Sequence, residues 1–111
     1  MWRSLITLPH SAHSLASLSP NARGVIGIGD IEAQTRQVCE NVKAAVEEVG
    51  GTLDDICRVD VYVRNMEHFD KIHKVRREYF KAPAPASTMV EITKMTSPEY
   101  LIEINAIAVL D

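Results

Sequence analysis

Apolar residues recur at three- and four-residue spacing from Ile31 to Val49, through Val38, Val42, Ala45 and Val46. That period places them on one side of an α-helix, which Asp30 is positioned to cap and the Gly50-Gly51 pair to stop. The other side carries Glu32, Arg36, Glu40, Lys43 and Glu47, charges of alternating sign that suit a solvated surface. After a turn over 52–55 the period changes to two. Cys57, Val59, Val61 and Val63 alternate with Arg58, Asp60, Tyr62 and Arg64, the pattern of a half-buried strand in which Cys57 is a small core residue. Asn65 is expected to cap a second helix running to about Phe80, with Phe69, Ile72 and Tyr79 on its apolar side; Pro83 and Pro85 forbid its continuation. His73 falls on that same side, where a packed, hydrogen-bonded imidazole is the ordinary case.

Two further strands are expected over 88–93 and 100–110, separated by a loop containing Ser97 and Pro98. Alternation in the first sets Val90 and Ile92 against Met89 and Glu91. In the second, Ile102, Ile104, Ala106 and Ala108 oppose Leu101, Glu103, Asn105, Ile107 and Val109. If helices cover the Ile102/Ile104 side, the other side mixes apolar residues with Glu91, Glu103 and Asn105. Solvated faces are rarely so rich in Leu, Ile and Val, so this face is expected to be buried against another copy. Helix, strand, helix, strand, strand in one short chain gives an α+β domain with both helices on one face of the sheet.

Composition narrows the class. At 111 residues there is room for one core, and 46% hydrophobic with 24% charged residues is ordinary for a globular domain. A net charge of −3 argues against a partner held through phosphates. Cys39 and Cys57 are too few for a disulfide framework, which favours a reducing interior, and no apolar run approaches the roughly 20 residues that cross a bilayer. Residues 1–18 read as an atypical leader ahead of a domain over 19–111. The stretch Met1 to Gly29 contains no Asp or Glu but has Arg3, Arg23 and five serines, a bias shared with mitochondrial transit peptides. Pro9 and Pro20 interrupt any long amphipathic helix there, so a polar leader or a first strand without a targeting role is preferred. The expected location is cytoplasmic, with mitochondrial as the alternative. His10 and His13 lack a third ligand, and Trp2 reads as an exposed or packing residue; no metal site is expected.

No phosphate loop, metal quartet or Ser/His/Asp constellation is present, and Gly24, Gly27 and Gly29 lack the spacing of a dinucleotide site. What remains is a set of acids on a partly buried sheet face beside Ser87 and Thr88. Desolvation can raise the pKa of such a carboxylate and let it orient or deprotonate water at neutral pH. A structural acid hydrogen-bonded across a subunit contact fits the same pattern.

The run Gly29 to Val38 (Gly-Asp-Ile-Glu-Ala-Gln-Thr-Arg-Gln-Val), followed by Glu40 to Ala45, resembles the first-helix signature of the Rid (YjgF/RidA) reactive-intermediate deaminase family. The likeness continues through Leu53 to Ile56, the strand Val59 to Val63, Glu78-Tyr79-Phe80, the segment Pro85 to Ile92 and the closing Ile102 to Ala108. These motifs are collinear over about three quarters of the chain.

The resemblance implies a chorismate-mutase-like α+β fold with a mixed sheet, assembled as a homotrimer with a small-molecule pocket at each subunit interface. It also implies cofactor-free hydrolysis of imines or enamines. In archetypal members an arginine after Pro-Ala grips the substrate carboxylate and a glutamate on the last strand positions water. Glu103 occupies the glutamate's place and Ser87 the arginine's. Met89 stands where many relatives have cysteine, and Asn105 where many have a second glutamate. The resemblance therefore implies Glu103 as the catalytic residue and Ser87, Thr88, Met89, Glu91 and Asn105 as ligand contacts, with Lys81 and Lys94 in adjacent loops as partial substitutes for the missing cation. A hydroxyl cannot clamp an anion as a guanidinium does, so the expected substrate is something other than simple 2-aminoacrylate, for which 2-aminomuconate-like compounds are a model. The alternative is a non-catalytic, small-molecule-binding or regulatory trimer of the same fold.

Overall fold

The computed structural model describes residues 4–11 and 25–111. Strand β1 (Ser4–Ser11) precedes helix α1 (Ile31–Glu48), then come β2 (Ile56–Val63), α2 (Phe69–Tyr79), β3 (Ala86–Glu91) and β4 (Ile102–Leu110), with single 3₁₀ turns at Leu53–Asp55 and Met66–His68. The four strands form one mixed sheet in the order β1-β4-β2-β3. β4 runs antiparallel to both β1 and β2, while β3 is parallel to β2 and reached through α2. Both helices pack on one face of the sheet, as expected for the α+β class.

Helix α1 follows its sequence signals closely. The Asp30 side chain accepts a hydrogen bond from the Ala33 amide at 3.1 Å, and Gly50 takes a φ of +91°, the left-handed turn that a side chain resists. Its stripe Ile31, Val38, Val42 and Val46 is buried against Val59, Val61 and Val63 of β2 and Ile102, Ile104, Ala106 and Ala108 of β4. The charged side of α1 is less independent than its periodicity suggests. Arg36 pairs with Glu78 at 2.8 Å, Lys74 with Glu32 at 3.2 Å, and the Tyr79 hydroxyl donates to Glu40. Part of the face that reads as solvated thus also borders α2, while Arg36, Glu40, Lys43 and Glu47 remain exposed.

Four expectations change or narrow. First, of the two readings kept for the leader, polar segment or first strand, Ser4–Ser11 takes the second and forms the edge strand β1. Ile6 and Leu8 pair with Ala108 and Ala106 on the core side, and an edge strand tolerates the missing N–H of Pro9. Trp2, His13 and the rest of the leader up to residue 18 fall outside the described residues.

Second, Cys57 is exposed, because an irregularity between Ile56 and Arg58 inserts one residue into the β2–β4 ladder and Ile56 takes the buried position. Third, the second helix starts later than expected. Asn65 caps only the 3₁₀ turn, through the Glu67 amide, and α2 begins at Phe69. Its buried residues are Ile72 and Val75, whereas Phe69 and His73 are exposed and stack on each other with ring centroids 5.7 Å apart.

Fourth, the last two strands are Ala86–Glu91 and Ile102–Leu110. The parallel register Val61↔Met89 and Val63↔Glu91 turns Met89 and Glu91 toward the helix side rather than toward Glu103.

The two cysteines now differ sharply. Burial pushes the Cys39 thiol up to about 12, so at pH 8 it carries almost no thiolate, the reactive form. Iodoacetamide at pH 8 is expected to leave Cys39 unlabelled until the chain is unfolded, with exposed Cys57 as the internal comparison in peptide mass spectra. Labelling of Cys39 in the folded protein at the rate of Cys57 contradicts the burial argument.

Candidate functional site

Residues paired across neighbouring strands share a face, and this rule divides the predicted site in two. Val59, Val61 and Val63 point into the core, so their β3 partners Ser87, Met89 and Glu91 lie on the helix side. Asp60 pairs with Thr88 on one flank and Asn105 on the other, and Tyr62 pairs with Glu103. Thr88, Glu103 and Asn105 therefore lie on the open face. The chain brings Ser87 together with Met89, and Glu103 with Asn105, but sets these two pairs on opposite sides of one sheet.

On the open face, Glu103 and Asn105 line a depression of about 410 Å³ together with Thr7, Pro9, Tyr62 and Ile92. Both side chains are half-buried in the single chain, and the Asn105 Oδ1 is buried with no hydrogen-bond partner among the described residues. Apolar groups surround this depression: Ile107 and Val109 are half-buried, while Leu5 and Val90 are 70% and 41% exposed. A carboxylate beside a buried, unanswered carbonyl oxygen on such a surface suits contact with something outside the chain.

On the helix side, a second cavity of about 330 Å³ opens between the last turns of α2 and the start of β3. Ser87 and Met89 form its strand wall; Phe69, His73, Arg76 and Phe80 come from the helix and its end, and Pro85 from the connection. The Arg76 Nη2 donates to the Ser87 Oγ at 2.6 Å. Burial lowers the pKa of Arg76 from the ordinary arginine value. Neither Lys81 nor Lys94 lines this cavity, and the Lys81 ammonium instead donates to the Arg77 carbonyl at the end of α2. Glu91 stands apart from both cavities, where its Oε1 accepts from the Met66 amide at 2.8 Å and so caps the 3₁₀ turn.

Two contributors escape a reading by periodicity. Arg76 is one: it lies four residues after buried Ile72 and three after His73, on the flank of the apolar stripe, a position where a long side chain commonly snorkels. Gln34 is the other, fully buried on the core side of α1, with Nε2 donating to the Glu99 carbonyl at 2.7 Å and Oε1 accepting from the Leu101 amide at 2.8 Å. A signal for Gln34 does exist in the sequence, namely an amide in the phase of a valine stripe, and it points to a polar clamp within the core.

Residues 16–110 match the family model described as Endoribonuclease L-PSP. A RutC family protein of Pyrococcus horikoshii is 46% identical over 85 residues, which are 77% of this chain and 67% of that relative's length. Among solved structures, a YjgF-family protein of Mycobacterium tuberculosis superposes with a TM-score of 0.76 at 29% identity, covering 94% of this chain and 77% of the other. The crystal structure of E. coli TdcF with bound serine superposes with a TM-score of 0.79 at 25% identity, covering 97% and 82%.

Proposed function

Because the chain belongs to the endoribonuclease L-PSP family, the YjgF/RidA proteins, we propose that it hydrolyses a small imine or enamine in a pocket completed by two copies of itself. The observation that carries this reading is the division of the site. Ser87 and Met89 border one cavity, Glu103 and Asn105 border another, and the sheet separates them. Within one copy no small ligand spans both. Apposing the helix-side cavity of one copy to the open face of the next places all four around one volume and covers the apolar groups near Glu103; repeated cyclically, this head-to-tail contact closes into a ring such as a trimer.

The chemistry suits these parts. Water adds to the carbon of the C=N bond, the nitrogen takes up a proton, and the C–N bond of the resulting carbinolamine breaks to release ammonia and leave a carbonyl. An enamine first shifts its double bond and a proton to become the imine. No electron changes hands, and the one group the enzyme must supply is a base that orients water, the role assigned to Glu103. A net charge of −3 gives little counterion release on an RNA backbone, which counts against the endoribonuclease activity that the family model's description names. Ser87 in the arginine's place favours a second reading, a trimer that binds a small metabolite without transforming it.

The test is ammonia release by the purified chain from enzymatically generated imines, including 2-aminoacrylate and 2-aminomuconate, alongside its mass in solution by sedimentation. Accelerated release from at least one conjugated imine, by an oligomer, is the expected result. A monomer, or an oligomer that accelerates none of them, defeats the proposal; saturable thermal stabilisation by carboxylates without turnover then supports the binding trimer.

A further inference from the structure

The cavity between α2 and β3 carries arginine charge that no acid among the described residues neutralises. Arg76 and Arg77 line it, and among the described residues no Asp or Glu does. The ion pairs among the described residues are Arg36 with Glu78, Arg58 with Asp60 and Lys74 with Glu32, none of which uses Arg76. Among the described residues its guanidinium is spent on one neutral acceptor, the Ser87 hydroxyl, and its Nε is buried without a partner. A guanidinium offers five N–H groups in a planar fork, so most of this one's donor capacity is unused. Withdrawing such a group from water without a counter-ion is unfavourable, and an anion entering the cavity reverses that cost.

The Ser87 contact is informative in its direction. Ser87 accepts from Arg76, which leaves its own O–H free to donate, so the pair presents a guanidinium edge and a hydroxyl proton side by side. The rest of the lining is flat and apolar. Phe69 and His73 stack with their rings 9° from parallel, and Phe80, Pro85 and Met89 complete the walls. At about 330 Å³ the volume lies near the lower end of small-molecule sites, which run from roughly 300 to 1,000 Å³.

We propose that Arg76, delivered from helix α2 and held by Ser87, is the anion-binding residue of this cavity, and that the Phe69–His73 stack selects a small carboxylate with a planar, conjugated body. The cation that the sequence lacks at position 87 is thus supplied from the neighbouring helix, eleven residues earlier, and Ser87 is retained as its anchor. This deepens the proposed reaction by assigning the group that holds the substrate's anion. It is a statement about binding, however, and is tested without turnover.

The experiment is isothermal titration of the full chain, in its solution assembly, with sorbate, hexanoate and sorbamide. These probes share a six-carbon skeleton but differ in conjugation or in charge. Sorbate is expected to bind, hexanoate several-fold more weakly, and sorbamide at least 10-fold more weakly. Arg76→Ala and Arg76→Gln are each expected to lose 10-fold or more in sorbate affinity, while Arg76→Lys loses less. The double variant Arg76→Ala with Ser87→Arg, which returns the cation to the strand, is expected to recover most of the loss. Equal binding of sorbate and sorbamide, no binding of sorbate, or an Arg76→Gln chain that melts normally and binds sorbate like the parent each overturns the assignment. Deamination can fail while sorbate binding obeys this pattern, or succeed while it does not, so the two claims stand or fall separately.

Discussion

Glu103→Gln is expected to reduce imine turnover by about 100-fold or more while leaving carboxylate binding near its original strength. The substitution keeps the side chain's shape and a hydrogen-bonding oxygen but removes the charge that accepts a proton from water. Fold disruption is a poor alternative explanation, because Glu103 is only half-buried on the open face and belongs to none of the ion pairs among the described residues. The comparison between the two faces makes the test selective. Arg76 and Ser87 lie across the sheet from the Glu103 of the same copy, so a loss confined to turnover separates the base from the anion clamp. The measurement is kcat for ammonia release set beside the dissociation constant for sorbate. If the Glu103→Gln chain keeps full turnover, Glu103 is not the base; if it loses sorbate affinity in proportion to turnover, Glu103 holds the ligand rather than activating water.

The parts of this site differ in how they could be read from residues alone. Helix α1 is written plainly, with a capping Asp30, an apolar stripe and a left-handed Gly50 at its end. Glu103 is legible as an acid on the face away from Ile102 and Ile104, because alternation along an uninterrupted strand has only two phases. The phase of β2 misleads at Cys57, since an extra residue in the ladder leaves no mark in a two-residue period. Glu91 misleads for a different reason. Alternation says that it opposes Val90, but only the register with β2 says which side meets the helices. Arg76 is least legible of all. A cation four residues after Ile72 reads as a solvated side chain, and its meaning appears only when the crossover brings α2 back beside the second residue of β3. Substitution of a family residue by serine looks like loss along the chain and like relocation in space.

Gln34→Met is expected to be the most damaging single change to stability among the residues discussed, although it preserves side-chain length and places a more apolar group in an apolar stripe. The reason lies in the two main-chain groups that Gln34 serves. The Glu99 carbonyl loses its donor and the Leu101 amide loses its acceptor, at 2.7 and 2.8 Å, in a partly buried loop. A buried backbone group left without a partner costs on the order of 1–3 kcal/mol and a single lost hydrogen bond about 0.5–1.5 kcal/mol, so losing the acceptor at Leu101 and one bond at Glu99 costs about 2–4 kcal/mol. At roughly 4–8 °C per kcal/mol for a domain near this size, the melting temperature is expected to fall by about 10–30 °C. The consequence reaches the site because Glu99 to Leu101 lead directly into β4, and Glu103 follows two residues after Leu101. Hydrogen exchange should therefore speed up first at the Leu101 amide, and turnover should fall at temperatures where the chain is still folded. A melting temperature within 2 °C of the parent, with Leu101 still protected, would show that the loop is held by its other contacts and that Gln34 is a passenger in the core. The opposite outcome ties the placement of the proposed base to a helix on the far side of the sheet, through one amide side chain.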